Sequence, residues 1–245
     1  MMFGRKSKMS IIQSETKETT LQSPPYEFVE QGTLLFMTGV ALSGKSTISP
    51  LVASAISGCV LQSMDVIRLA AQQIEEVKPE RDRNPFVYLG SCDSYLAVGD
   101  GSYSDESLIE GFQFYSESVF RVAERMLPKL EAQGAQNVFF EGVQLTPKLL
   151  KPHLKGKNRL IVVTSDSEKL ERNRNLLFHD DLGMVARYSV PILMLLQREI
   201  VQQGLELDQL QLISVANLGE YTETATQILE GLLSQEVIKK KSFTN

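Results

Sequence analysis

The sequence predicts an α/β fold, a parallel sheet of five strands with helices on both faces. Three observations predict it. Short apolar runs alternate with longer stretches of helical period along most of the chain. The strongest run, Leu34-Leu35-Phe36-Met37-Thr38, leads straight into Gly39-Val40-Ala41-Leu42-Ser43-Gly44-Lys45-Ser46-Thr47. Two further apolar runs end on acids, at Asp65 and Glu141.

The first strand is Leu34 to Thr38, and the segment after it has the G-x-x-x-x-G-K-[ST] spacing of a phosphate-binding loop. Consecutive backbone N–H groups must curl round a polyphosphate, and side chains at Gly39 and Gly44 would obstruct that approach. A helix opens directly after the loop, and its unpaired first N–H groups favour an anion. Within Gly39 to Thr47, Lys45 is placed to reach the terminal phosphates and the Ser46 hydroxyl to complete the shell of a Mg²⁺ ion. Pro50 lacks the N–H that would bond the Ser46 carbonyl and predicts a local bend in this helix.

Cys59 to Asp65 reads as the second strand, followed by a helix from about Val66 to Val77. Lys78 to Tyr103 carries prolines and glycines without helical period, a loop long enough to be functional or mobile. Ser104-Asp105-Glu106 supplies an N-cap and first-turn acids. Leu108, Phe112, Tyr115, Val119, Val122 and Met126 then recur at steps of three and four, the core face of a long helix. Gly134 ends it. Val138 to Glu141 is the third strand, Arg159 to Thr164 the fourth and Leu210 to Val215 the fifth. Between the last two, helical stretches at 167–179 and 190–203 read as a flap and the helix after it, so that 167–204 closes over the site. A final helix runs from about Tyr221 to Leu233. Residues 1–31 are polar with Pro24-Pro25 and read as a flexible N-terminal arm, 32–235 as the phosphate-loop domain, and 236–245, with Lys239-Lys240-Lys241, as a solvated basic tail.

Bulk composition excludes several function classes. The chain has 245 residues, 42% of them hydrophobic, enough for one sizeable core. A net charge of −5 argues against a broad nucleic-acid footprint, so any anionic substrate must be held by locally placed cations. Two cysteines, Cys59 and Cys92, form no disulfide framework, and His153 and His179 lack metal-ligand spacing. No apolar run approaches the roughly 20 residues of a membrane span. The N-terminal Arg5, Lys6 and Lys8 are not followed by the apolar segment of a secretory signal, and the expected location is cytoplasmic.

In a doubly wound sheet, ligands collect at the carboxyl ends of the strands. That rim is expected to bring Asp65 and Glu141 to Lys45. Asp65 could take the proton of a substrate hydroxyl, orient it, or hold a Mg²⁺ water; its structural alternative is an N-cap. Glu141 could polarise a metal-bound water or assist the hydroxyl. Arg68, one helical step beyond Asp65, could clamp an acidic group. Arg172, Arg174 and Arg187 could be delivered by the flap to neutralise the transferred group. Arg172 and Arg174 are two apart, so they cannot both face inward.

From Leu34 to Leu233 the chain resembles the 2-phosphoglycerate kinase family of small P-loop kinases. The pieces that carry the resemblance are Gly39 to Thr47, Met64-Asp65-Val66-Ile67-Arg68, Asp93-Ser94-Tyr95, Ile109-Glu110-Gly111-Phe112, Glu141-Gly142-Val143 with Leu145 and Pro147, Arg187-Tyr188 and Leu196-Gln197. The resemblance implies a five-stranded core like that of nucleoside monophosphate kinases, ATP and Mg²⁺ as cofactors, and phosphorylation of a small hydroxylated acid or phosphate ester. Asp93, Ser94 and Tyr95, among the matching pieces, are expected to bind the substrate together with Arg68 and the flap arginines. Gln144 stands where that family has His. An ATP-binding sensor or scaffold, a zeta-toxin-like sugar-nucleotide kinase and a polynucleotide kinase are the alternatives.

Overall fold

The computed structural model describes residues 23–132, 137–217 and 219–242. Most of the expected arm, the helix-ending Gly134 and the last three residues of the tail lie outside them. The chain opens with β1 (Tyr26–Phe28) and β2 (Leu34–Thr38), then α1 (Lys45–Ala55), β3 (Ile56–Ser57), β4 (Cys59–Ser63) and α2 (Met64–Glu76). After a segment with three short 3₁₀ turns come α3 (Asp105–Ala132), β5 (Asn137–Glu141) and α4 (Pro147–Leu150). β6 (Arg159–Thr164), α5 (Ser167–Phe178), α6 (Leu182–Arg187), α7 (Val190–Gly204), β7 (Leu212–Ala216), α8 (Tyr221–Ser234) and β8 (Ile238–Lys240) complete it.

The main sheet has five strands in the order β4-β5-β2-β6-β7, all parallel, as the alternation of apolar runs and helices predicts. Successive side chains on each strand serve opposite faces. Phe36, Phe140 and Val162 pack into one layer with Met64 and Ile67 of α2, Phe112 and Val119 of α3, and Leu193 and Leu196 of α7. Leu35, Met37, Phe139, Ile161 and Val163 pack into the other, against Ile48 and Val52 of α1 and Ile228 and Leu232 of α8. Burying both faces explains why these strands read as continuous apolar runs.

Register sets the site. Glu141 pairs with Met37 on one side and Ser63 on the other. The ends of β2, β4 and β5 therefore share one rim, and the residues after them converge there.

Three elements differ from the sequence expectation. β4 stops at Ser63, and Asp65 lies in the first turn of α2, because Met64 already turns into the core. α1 runs unbroken to Ala55 through Pro50. The expected arm and tail meet as strands: β1 pairs parallel with β3 and antiparallel with β8, placing Lys239 opposite Glu27 and Lys240 opposite Tyr26. Lys239 also pairs with Glu27 at 3.2 Å, and Ile238 is buried, so this stretch is an edge strand whose lysines face out. Among the described residues no helix is long and apolar enough to cross a membrane.

Candidate active site

The loop after β2 takes its shape from two glycines. Gly39 has φ 151° and a Cβ there would collide with the Val163 carbonyl of the neighbouring strand. Gly44 has φ 92°, and a Cβ would strike the Asn217 amide and the Tyr221 ring. Between them Leu42 adopts φ 66°, a left-handed conformation that a leucine holds only under tertiary constraint. That constraint is visible. Asn173 Nδ2 on α5 donates to the Leu42 carbonyl at 2.8 Å, and Asn217 Nδ2 beyond β7 donates to the Ser43 carbonyl at 2.7 Å. Asn217 Oδ1 in turn accepts from Lys169 Nζ at 2.7 Å and Thr224 Oγ1 at 3.1 Å.

Lys45 is the first residue of α1 and almost wholly buried, and its Nζ donates to the Val40 carbonyl at 2.8 Å. Burial pushes its pKa below the usual lysine range, while the negative charges of Glu141 and Asp65 act in the opposite direction. Ser46 Oγ lies 3.4 Å from Glu141 Oε2, and Glu141 is 5% exposed. Asp65 projects from the start of α2 with a side chain 67% exposed; Arg68 Nε is 4.0 Å from its Oδ1 and Arg68 Nη1 reaches the Val87 carbonyl at 3.5 Å.

These groups surround one cavity of about 470 Å³. Ala41, Leu42, Gly44, Lys45, Ser46 and Thr47 form its floor, and Asp65, Arg68 and Glu141 one wall. Gly39, Val40 and Ser43 lie beneath, supplying shape and carbonyls; Val40 and Ser43 have no exposure. The remaining expected residues sit behind the wall or outside it. Asp93 is ion-paired with Arg187, whose guanidinium lies over Gly90. Burial raises the Asp93 carboxyl pKa, with Arg187 opposing it. Ser94 Oγ donates to the Ser91 carbonyl at 3.1 Å, and Tyr95 packs edge-on against Tyr103. Gly90 and Ser91, not Asp93 to Tyr95, line the cavity. Neither Arg172 nor Arg174 lines it; Arg174 pairs with Glu171 at 3.3 Å, and the α5 residues that do are Asn173, Leu176 and Leu177.

Sequence reasoning gives no site role to Tyr115, Gln144, Asn173, Tyr188, Asn217 or Tyr221, although Gln144 and Tyr188 fall at positions that bear on the resemblance. Tyr115 reads as core; it is 2% exposed but lines the cavity, and its hydroxyl is bonded to Gln144. Its place in an apolar stripe conceals it. Asn217, a polar residue directly after an apolar strand, follows the same pattern that singles out Asp65 and Glu141, and that signal could have found it.

The donor set fits a Mg²⁺ ion only in company. Among the described residues no group of three or more His, Cys, Asp and Glu could hold a metal. Ser46 and Glu141 offer a hydroxyl and a carboxylate, oxygen ligands of the kind Mg²⁺ accepts alongside waters and phosphate oxygens.

No protein-family model matches the chain, and no curated protein matches it. Among solved structures it overlays on a gluconokinase from Sinorhizobium meliloti with TM-score 0.43 and 14% identity, covering 84% of this chain and 94% of that one. It overlays on a thymidylate kinase from Candida albicans with TM-score 0.45 and 14% identity, covering 86% and 96% respectively. These overlays are loose. The chain's own sheet order, phosphate-binding loop and rim acids define it as a phosphate-loop α/β protein.

Proposed function

We propose that this chain is an ATP- and Mg²⁺-dependent phosphotransferase acting on a small hydroxylated acid or phosphate ester. One observation carries the reading: Lys45, Ser46, Glu141, Asp65 and Arg68 line a single cavity on the carboxyl rim of the sheet. Asp65 and Arg68 stand on the wall of the same cavity as the loop, where a second substrate carrying a hydroxyl and an acidic group would meet them.

In this reading the loop amides and Lys45 hold the β- and γ-phosphates. Ser46 and Glu141 would hold the Mg²⁺ ion, which would draw charge from the phosphate oxygens. Arg68 pairs with an acidic group of the acceptor. Asp65 accepts the proton of the acceptor hydroxyl as that oxygen bonds the γ-phosphorus; the bond from phosphorus to the β–γ bridging oxygen breaks, and ADP carries that electron pair away. Arg187, held by Asp93 beside Gly90, would approach the acceptor from the edge of the cavity.

The test is a panel of small hydroxy acids, phosphate esters and sugar nucleotides incubated with γ-labelled ATP. Label on one acceptor, lost in the Lys45→Ala variant, supports the reading. Tight ATP binding with no transfer to any of them would favour a nucleotide sensor instead.

A further inference from the structure

Gln144, three residues beyond Glu141, has no exposure. Its Nε2 donates to Tyr115 Oη at 2.6 Å and to Asp65 Oδ1 at 3.2 Å. A primary amide has two N–H groups, and both are used. With one N–H to each acceptor and an ideal angle of about 120° between them, those two bonds space the phenol and carboxylate oxygens by about 5 Å. Oε1 of the same amide is buried and takes no hydrogen bond among the described residues. Flipping the amide would turn that oxygen toward the Asp65 carboxylate, so charge fixes its orientation. Gly142 makes the arrangement possible, since a Cβ there would collide with Met64 and with Gln144 Oε1.

Tyr115 thus receives a hydrogen bond from Gln144 while lining the cavity beside Asp65 and Arg68. Its own hydrogen has no acceptor among the described residues. Burial, reinforced by the negative charge of Asp65, pushes the phenol well above the usual tyrosine range, so it stays protonated and acts as a donor.

We infer that Tyr115 and Asp65 form a donor–acceptor pair that reads two neighbouring oxygens of the acceptor, with Gln144 as the positioning residue that spaces them. Asp65 takes the proton of the reacting hydroxyl, and Tyr115 donates to an oxygen on the adjacent carbon. Neighbouring oxygens lie roughly 2.8 Å apart, and a hydrogen bond of about that length at each end fits the 5 Å gap. The favoured acceptors are therefore 2-hydroxy acids, vicinal diols and their esters, over simple alcohols. The inference rests on the phosphotransfer reading and adds a specificity rule to it.

The experiment compares matched acceptors, with and without the neighbouring oxygen, in the wild type, Tyr115→Phe, Gln144→Met and Asp65→Asn, with thermal melts confirming that each variant is folded. The wild type should prefer the two-oxygen member by about tenfold or more in kcat/KM. Tyr115→Phe should reduce that preference below about twofold while leaving the KM for ATP unchanged. Gln144→Met should lower kcat about tenfold alone and add nothing in the Asp65→Asn background, as expected if it acts through Asp65. Full discrimination retained by Tyr115→Phe, or a Gln144→Met loss that multiplies with Asp65→Asn, would overturn the inference while leaving phosphotransfer standing. If Gln144→Met does not fold, Tyr115→Phe alone decides. A wild type that labels no hydroxyl acceptor would remove the phosphotransfer reading first, and this inference with it.

Discussion

Lys45 Nζ donates to the carbonyl of Val40, 2.8 Å away within the same loop. The ammonium is buried, and burial lowers its pKa from the ordinary lysine value of 10.5. A triphosphate brought beside it would raise that pKa again, so nucleotide binding should take up protons at alkaline pH and weaken as pH rises through the free protein's Lys45 pKa. Calorimetry in buffers of different ionisation enthalpy, over a pH series from below neutrality up to about 10.5, measures the uptake directly. The unfolded chain binds more protons than the native one between the lowered pKa and 10.5, so Lys45 contributes stability that increases with pH across that window. Proton uptake absent at every pH of the series would mean that Lys45 does not meet the phosphates.

Asp65→Asn should lower kcat by about 10²–10⁴, the range of a lost general base, with the KM for ATP within a few-fold of wild type. Glu141→Gln should instead raise the Mg²⁺ concentration needed for half-maximal rate, because Glu141 lies 3.4 Å from Ser46 Oγ, the pair proposed to hold that ion. Steady-state kinetics over a Mg²⁺ series separates the two roles. Interchangeable phenotypes would contradict the division of labour.

Asn217→Ala should cost more stability than any surface substitution. It removes the donor to the Ser43 carbonyl and the acceptor of Lys169 Nζ, leaving a largely buried ammonium with the Gly219 carbonyl at 2.6 Å as its remaining backbone partner. A loss of about 2–3 kcal/mol in urea unfolding is expected. Weaker ATP binding should accompany it, since the same amide braces the phosphate loop. A change within about 0.5 kcal/mol would mean that water replaces both bonds.

Both thiols should be inert. Burial pushes Cys59 and Cys92 up to about 12, so almost no thiolate exists at neutral pH. Iodoacetamide at about pH 8 should label neither in the native protein and both in denaturant. Rapid native labelling of Cys92, which is 1% exposed, would reveal opening of the segment that carries Gly90 and Ser91.

The parts legible in the sequence are those encoded locally. A glycine spacing and an apolar run specify the loop before Lys45, and an acid at the end of an apolar run puts Glu141 on the rim. The hidden parts depend on the rest of the fold. Tyr115 is one more apolar position on α3 until Gln144 arrives from β5's end to take its hydroxyl. Arg187 reads as a free flap cation, but Asp93 engages it from a segment distant in sequence. Lys239 and Lys240 read as a tail because only Ile238 turns inward, and three residues are too few to display a strand's alternation. The end of β4 reads two residues too late because Met64 and Asp65 suit a strand end and a helix start equally.

The most direct measurement is the affinity for ATP with saturating Mg²⁺, by titration calorimetry, in the wild type and in Lys45→Ala. One site per chain with sub-millimolar affinity, weakened by about 30-fold or more in the variant, is the expected result. No heat of binding for the wild type at millimolar ATP, or equal affinity in the two proteins, would contradict a loop built to hold a triphosphate.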